Sequence, residues 1–108
     1  MESIILELYN TIKDRKENRD EKSYTSYLFN KGIDKILKKV GEECTEVIIS
    51  AKNNNKEEQV GEIGDLVYHL LVAMVEMGVT LEDLEEELAK RRKKINNLKA
   101  ERREIENL

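Results

Sequence analysis

The chain has no proline, five glycines and a single cysteine. Each shortage excludes something. Proline breaks helix interiors, so its absence permits long helices throughout. One cysteine, Cys44, cannot form an intramolecular disulfide. Together with the lack of a targeting signal, it fits a reducing cytosol. The opening residues Met1-Glu2-Ser3-Ile4-Ile5 have neither the basic nor the apolar region of a signal peptide. No apolar run approaches the roughly 18 residues of a membrane span. A net charge of -4 gives no bulk attraction for a polymeric nucleic acid. The expectation is a cytoplasmic protein with neither membrane nor nucleic-acid polymer as partner. At 108 residues it is one domain with a marginal core, which a dimer partner or a bound metal would help stabilise.

Charged residues make up 39% of the sequence, and their arrangement is helical. Ile4, Ile5, Leu8 and Ile12 share one face of a first helix over about Ser3–Arg15. Residues Lys16–Lys22 lack apolar side chains and read as a loop. Ser23 caps a short helix that stops at Gly32. A long helix follows from Ile33 to about Lys52. Its apolar sector holds Ile33, Ile36, Leu37, Val40, Cys44, Val47, Ile48 and Ala51, which places Cys44 in the core as an inert packing residue. Asn53-Asn54-Asn55 turns the chain into a helix over about Glu57–Met77, apolar nearly all round from Leu66 to Val75 and therefore buried. Gly78 ends it, and Thr80-Leu81-Glu82-Asp83 is a capping box for the next helix. The fold class is all-α, a bundle of four to five helices. The domain covers residues 1–94, and residues 95–108 form a charged extension. The wholly apolar stretch also predicts a homodimer, since one protomer cannot cover every face of it.

Glu42, Glu43 and Glu46 form Glu-Glu-x-x-Glu beside the apolar stripe of the first long helix, with Lys35 and Lys39 in the same sector. Glu62 and Asp65 form Glu-x-x-Asp on the next, in a largely apolar setting. A short turn sets the two helices antiparallel, so the acidic patches can face each other. Carboxylates converging near a bundle interior repel unless a cation offsets their charge. Hard divalent ions take oxygen ligands, and Mg²⁺ commonly combines carboxylates with substrate phosphates. A glutamate run alone is more often a solvated helix face; the ordered pair of motifs across a hairpin carries the metal reading. Gly61 and Gly64 fit either close helix packing or clearance for a ligand. His69 reads as a partner of Asp65 or of backbone rather than as a metal ligand. Lys90-Arg91-Arg92-Lys93-Lys94 is either a solvated helix end or a phosphate-binding patch.

These motifs resemble the all-α nucleotide pyrophosphohydrolase (MazG-like) superfamily. Ser23-Tyr24-Thr25-x-x-Leu28-x-x-x-Gly32, then Lys38-Lys39-Val40-Gly41-Glu42-Glu43-x-Thr45-Glu46 and Tyr68-His69-Leu70-Leu71, resemble the phosphoribosyl-ATP pyrophosphatase family over roughly residues 4–94. The resemblance implies Mg²⁺-dependent hydrolysis of phosphoribosyl-ATP to phosphoribosyl-AMP and pyrophosphate in histidine biosynthesis. It also implies a cytoplasmic homodimer and a functional link to phosphoribosyl-AMP cyclohydrolase. The segment after Lys94 departs from the family's usual Ser-Gly and Glu-Lys-Ala pattern. The expected roles are metal binding by Glu43, Glu46, Glu62 and Asp65 and water activation by Glu42 or Glu43. Lys35, Lys39, Lys52 and Arg91 are expected at substrate phosphates. Two other readings are a house-cleaning nucleoside triphosphate pyrophosphohydrolase on the same fold and a non-catalytic helical dimerisation module.

Overall fold

A computed structural model describes residues 2–94; the expected extension at 95–108 lies outside the described residues. Five helices follow one another: α1 (Glu2–Glu17), α2 (Tyr24–Lys31), α3 (Ile33–Ala51), α4 (Lys56–Met77) and α5 (Leu81–Lys93). Among the described residues there is no strand, and no single helix is long and apolar enough to cross a membrane.

Local chemistry sets the boundaries. The Ser23 hydroxyl accepts the Ser26 N–H at 3.1 Å and opens α2. Gly32, at φ 92° and ψ -176°, closes α2 and leads straight into α3, a conformation that side-chain-bearing residues rarely adopt. Asn55 caps α4 through Glu58 N–H at 3.1 Å. Gly78 ends α4 in the left-handed region at φ 78°. Thr80 and Asp83 then exchange both capping-box hydrogen bonds, at 2.9 and 3.0 Å. The first helix runs two residues further than its apolar face predicts. Lys16 there reaches Glu76 of α4 at 3.1 Å and lies over the Phe29 ring.

The α3–α4 hairpin is the scaffold. Gln59 reaches back to the Ser50 and Asn53 carbonyls across its turn. Helices α1 and α2 pack on one side of it, and Ile12, Leu28, Ile36 and Val72 are almost wholly buried between them. Tyr9 ties α1 to the end of α4 by donating its hydroxyl to the Val79 carbonyl at 2.9 Å.

The other side of the hairpin differs from the sequence expectation. Only the Ile36, Val40, Glu43, Val47 and Ser50 side of α3 is buried or half-buried. Leu37, Cys44, Ile48 and Ala51 are exposed, so Cys44 is no core residue of the protomer. The apolar sector of α3 is wider than the surface α4 can cover. On α4, Leu71, Val72, Ala73 and Val75 are buried as expected, whereas Ile63, Leu70 and Met77 are exposed at seven-residue spacing. Leu37 and Cys44 repeat the seven-residue step on α3, and Ile48 follows one turn later. This spacing is that of a helix-packing seam. Helix α5 stands off the body, and an open apolar groove of about 860 Å³ runs between it and α1, lined by Ile5, Leu6, Tyr9, Leu81, Leu84 and Leu88.

Candidate metal centre and active site

Antiparallel pairing brings the two acidic motifs together. Carboxylate oxygens of Glu43, Glu62 and Asp65 all lie within 4.8 Å of one another. Their arrangement follows from helix geometry. Glu62 and Asp65 are three residues apart and share a face of α4, and Glu43 lies on the α3 face that packs against it. Glu43 is 9% exposed, the most buried carboxylate described, because it lies beside Val40 and Val47 on the packed side of α3.

Three like charges at this separation repel one another. Burial pushes the Glu62 carboxyl above its ordinary value, and Glu46, Asp65, Glu43 and Glu58 push it further the same way. A set of oxygen donors with surplus negative charge and no nitrogen or sulfur ligand suits a hard divalent cation. The residues present therefore fit Mg²⁺ and do not fit a soft metal. Glu46 stands close enough to act on Glu62 but is not one of the three clustered carboxylates.

Lys39 borders the cluster, 3.4 Å from Glu42 and 3.7 Å from Glu43. Burial pulls its ammonium down, but Tyr24, Glu42 and Glu43 outweigh that and leave it above the ordinary lysine value. It is thus a fixed positive charge at the rim. The Glu42 side chain is half exposed. Lys35 is half-buried, one turn before Lys39 on α3. The described contacts do not bring the other two expected phosphate ligands to this place: Lys52 is exposed at the end of α3, and Arg91 pairs with Glu87 on α5 at 3.0 Å. Gly61 and Gly64 are exposed, and a Cβ at either would meet no atom within 4 Å, so close packing inside the protomer does not account for them.

His69 is buried and behaves as the sequence suggests. Its Nδ1 donates to the Asp65 backbone carbonyl at 2.7 Å. In the neutral ring Nε2 is then the acceptor, and Tyr24 donates its hydroxyl to it at 3.0 Å. Around this link lies a cluster that the sequence reading did not assign. Tyr24 stacks with Tyr27 and Tyr68, and the Tyr68 and Thr25 hydroxyls hydrogen-bond each other. Burial raises the Tyr24 and Tyr68 hydroxyls above the ordinary tyrosine value; for Tyr24 the Lys39 charge opposes that, and for Tyr68 the Thr25 hydrogen bond does. The signal in the sequence was the Tyr24-Thr25 pair and the Tyr68-His69 pair, whose hydrogen-bonded members lie 43 and 45 residues apart along the chain.

Comparison with known proteins agrees with this architecture. The family model described as phosphoribosyl-ATP pyrophosphohydrolase matches residues 5–92. A Clostridium novyi protein named phosphoribosyl-ATP pyrophosphatase is 64% identical over 97% of this chain and 96% of its own. A protein of the same name from Clostridium acetobutylicum is 60% identical over 97% and 96%. One from Bacillus mycoides is 52% identical over the whole of both chains. With five helices among its described residues, a carboxylate cluster across the α3–α4 hairpin and similarity along nearly its full length, the chain belongs to the phosphoribosyl-ATP pyrophosphohydrolase family.

Proposed function

We propose that this protein hydrolyses N1-(5-phosphoribosyl)-ATP to phosphoribosyl-AMP and pyrophosphate, the second step of histidine biosynthesis, with Mg²⁺ as its cofactor. The observation that carries the reading is the convergence of Glu43, Glu62 and Asp65 within 4.8 Å on a chain so similar to proteins of that name. Glu43, Glu46, Glu62 and Asp65 would hold the metal. When bound, Mg²⁺ supplies positive charge against the triphosphate oxygens and against the charge that builds up during phosphoryl transfer.

The remaining roles fall to side chains. Lys39, kept protonated by its acidic neighbours, meets substrate phosphate, and Lys35 one turn away extends that positive edge. Glu42 is near enough to the cluster to share Lys39 with Glu43 yet is half exposed, so it can accept a proton from an attacking water. Lys52 and Arg91 would reach phosphate only with a rearrangement or from a second protomer. We also propose a homodimer formed through the exposed seam of α3 and α4. The protein would work in the cytoplasm, its product passing to phosphoribosyl-AMP cyclohydrolase.

The test is pyrophosphate release from phosphoribosyl-ATP against a panel of plain nucleoside triphosphates, with a Mg²⁺ titration and a chelator control. Metal-dependent release with phosphoribosyl-ATP far ahead of the panel is expected. A broad preference for plain nucleotides would point to the house-cleaning activity, and no release from any substrate to a non-catalytic module.

A further inference from the structure

The acidic cluster does not require three tyrosines beside it, yet three of the chain's four are there. Tyr24 lies between Tyr27 and Tyr68, with ring centroids 6.0 and 6.2 Å away and planes inclined by 25° and 27°. Its hydroxyl is held by His69, whose other nitrogen is bound to the backbone of Asp65. Tyr68 is held in turn by Thr25. Two of the rings are thus fixed at their hydroxyl ends and tied to the metal-binding turn of α4. Tyr24 and Tyr27 nonetheless remain 45% and 41% exposed. Rigid, exposed, stacked rings beside a polyphosphate site form a stacking surface for a nucleobase.

The surface also accepts cations. The Lys31 ammonium lies 5.9 Å from the Tyr27 ring centroid, within the range of a cation–π contact. A substituent on N1 makes adenine a stronger base, and such a base carries a proton and a positive charge near neutral pH. The adenine of plain ATP is neutral there.

We propose that Tyr27, the outer ring of the stack, backed by Tyr24 and Tyr68, stacks on the positively charged N1-substituted purine and so distinguishes phosphoribosyl-ATP from ATP. His69 is a positioning residue that locks Tyr24 to the Asp65 turn. This deepens the function proposed above and rests on it for the identity of the substrate.

The test uses N1-methyl-AMP and AMP, which share a phosphate, lack a bond the enzyme could cleave to pyrophosphate, and differ in the charge of the base. With no tryptophan in the chain, intrinsic fluorescence comes from its tyrosines, most of them in this cluster, and so reports binding. Wild-type protein is expected to bind N1-methyl-AMP about 3- to 30-fold more tightly than AMP, the span of a cation–π contact from exposed to desolvated. Tyr27→Leu and Tyr24→Leu should each lose most of that preference, and the ratio of kcat/KM for phosphoribosyl-ATP over ATP should fall with it. His69→Gln should weaken the preference less than Tyr24→Leu. If Tyr24→Leu does not fold, Tyr27→Leu at the outer edge of the stack decides alone. Equal binding of the two nucleotides by wild type, or an unchanged preference in a folded Tyr27→Leu protein, overturns the proposal. Binding preference is read without turnover. A wild type that cleaves phosphoribosyl-ATP but shows no preference therefore removes only this inference, whereas one that shows the preference but cleaves nothing removes the enzymatic reading.

Discussion

Leu70 offers a quantitative test of the assembly. It is 42% exposed in the protomer, at the centre of the Ile63–Leu70–Met77 line on α4. Truncation to alanine removes three carbons, each worth about 0.8 kcal/mol when buried. Only the exposed share of the side chain becomes buried on dimerisation, so each copy loses about 1 kcal/mol of association energy. A two-fold interface contains the residue twice, and the loss doubles to about 2 kcal/mol. That corresponds to about a 30-fold rise in the dimer dissociation constant. A cavity left in the interface would add to it, so the figure is a floor. Sedimentation equilibrium across nanomolar to micromolar protein measures the constant directly, and helical circular dichroism of the dilute protein checks that the protomer stays folded. Wild type running as a well-folded 12.6 kDa monomer at micromolar concentration would refute the seam altogether. An unchanged constant for Leu70→Ala would place the interface elsewhere, with the α1–α5 groove the next surface to test.

Asp65→Asn should lower turnover more than about 100-fold with helix content intact, because even outer-shell partners of a metal site typically cost 10–100-fold; near-normal rates at saturating Mg²⁺ would exclude Asp65 as a ligand. Lys39→Met keeps much of the stem and deletes the charge. It should cost about 10- to 100-fold in kcat/KM, the worth of a hydrogen bond to a charged group, and unchanged kinetics would leave Lys39 as a partner of Glu42 and Glu43 alone. The Glu62 carboxyl is held above its ordinary 4.5, so the folded state binds its proton more readily than the unfolded chain. Its destabilising contribution is complete above the raised value and disappears as pH falls through the window towards 4.5. In chelator, thermal stability should therefore gain from Glu62 as pH drops through that window. Glu62→Gln should remove this component and Mg²⁺ should suppress it, and a pH profile identical in wild type and variant would contradict the assignment.

Much of the fold was legible because it is written in local chemistry. Ser23, Gly32, Gly78 and the Thr80–Asp83 box act within a turn of themselves, and the helices end where those residues place them. The meeting of the two acidic motifs was legible because short motifs on adjoining helices need only an antiparallel hairpin to come together. Two features were not. The apolar sector of α3 shows what is hydrophobic but not which half of it α4 covers, and this misplaced Cys44. The aromatic cluster joins α2 to α4 over more than forty residues, and no periodicity within either helix reports such a contact. Glu46 shows a third limit. Its spacing matches that of a ligand, but whether its oxygens join the other three depends on side-chain placement rather than on helix phase.

The tie between Tyr9 and Val79, 70 positions apart, has a consequence for the order in which the molecule comes into being. A ribosome makes α1 first, but the surfaces it docks on, Val72 and the Val79 turn, are made near the end of the domain. The α3–α4 hairpin closes through Lys52, Asn53, Asn54 and Asn55 and needs only its own neighbours, so the clustered carboxylates come together on the quickest part of the fold to form. Helix α1 is synthesised before the hairpin and is fastened to α4 only after it. Until then Ile12 can meet Leu28 and Ile36 but not Val72, and a nascent chain stalled before residue 72 would hold α1, α2 and α3 without the surface that completes their core.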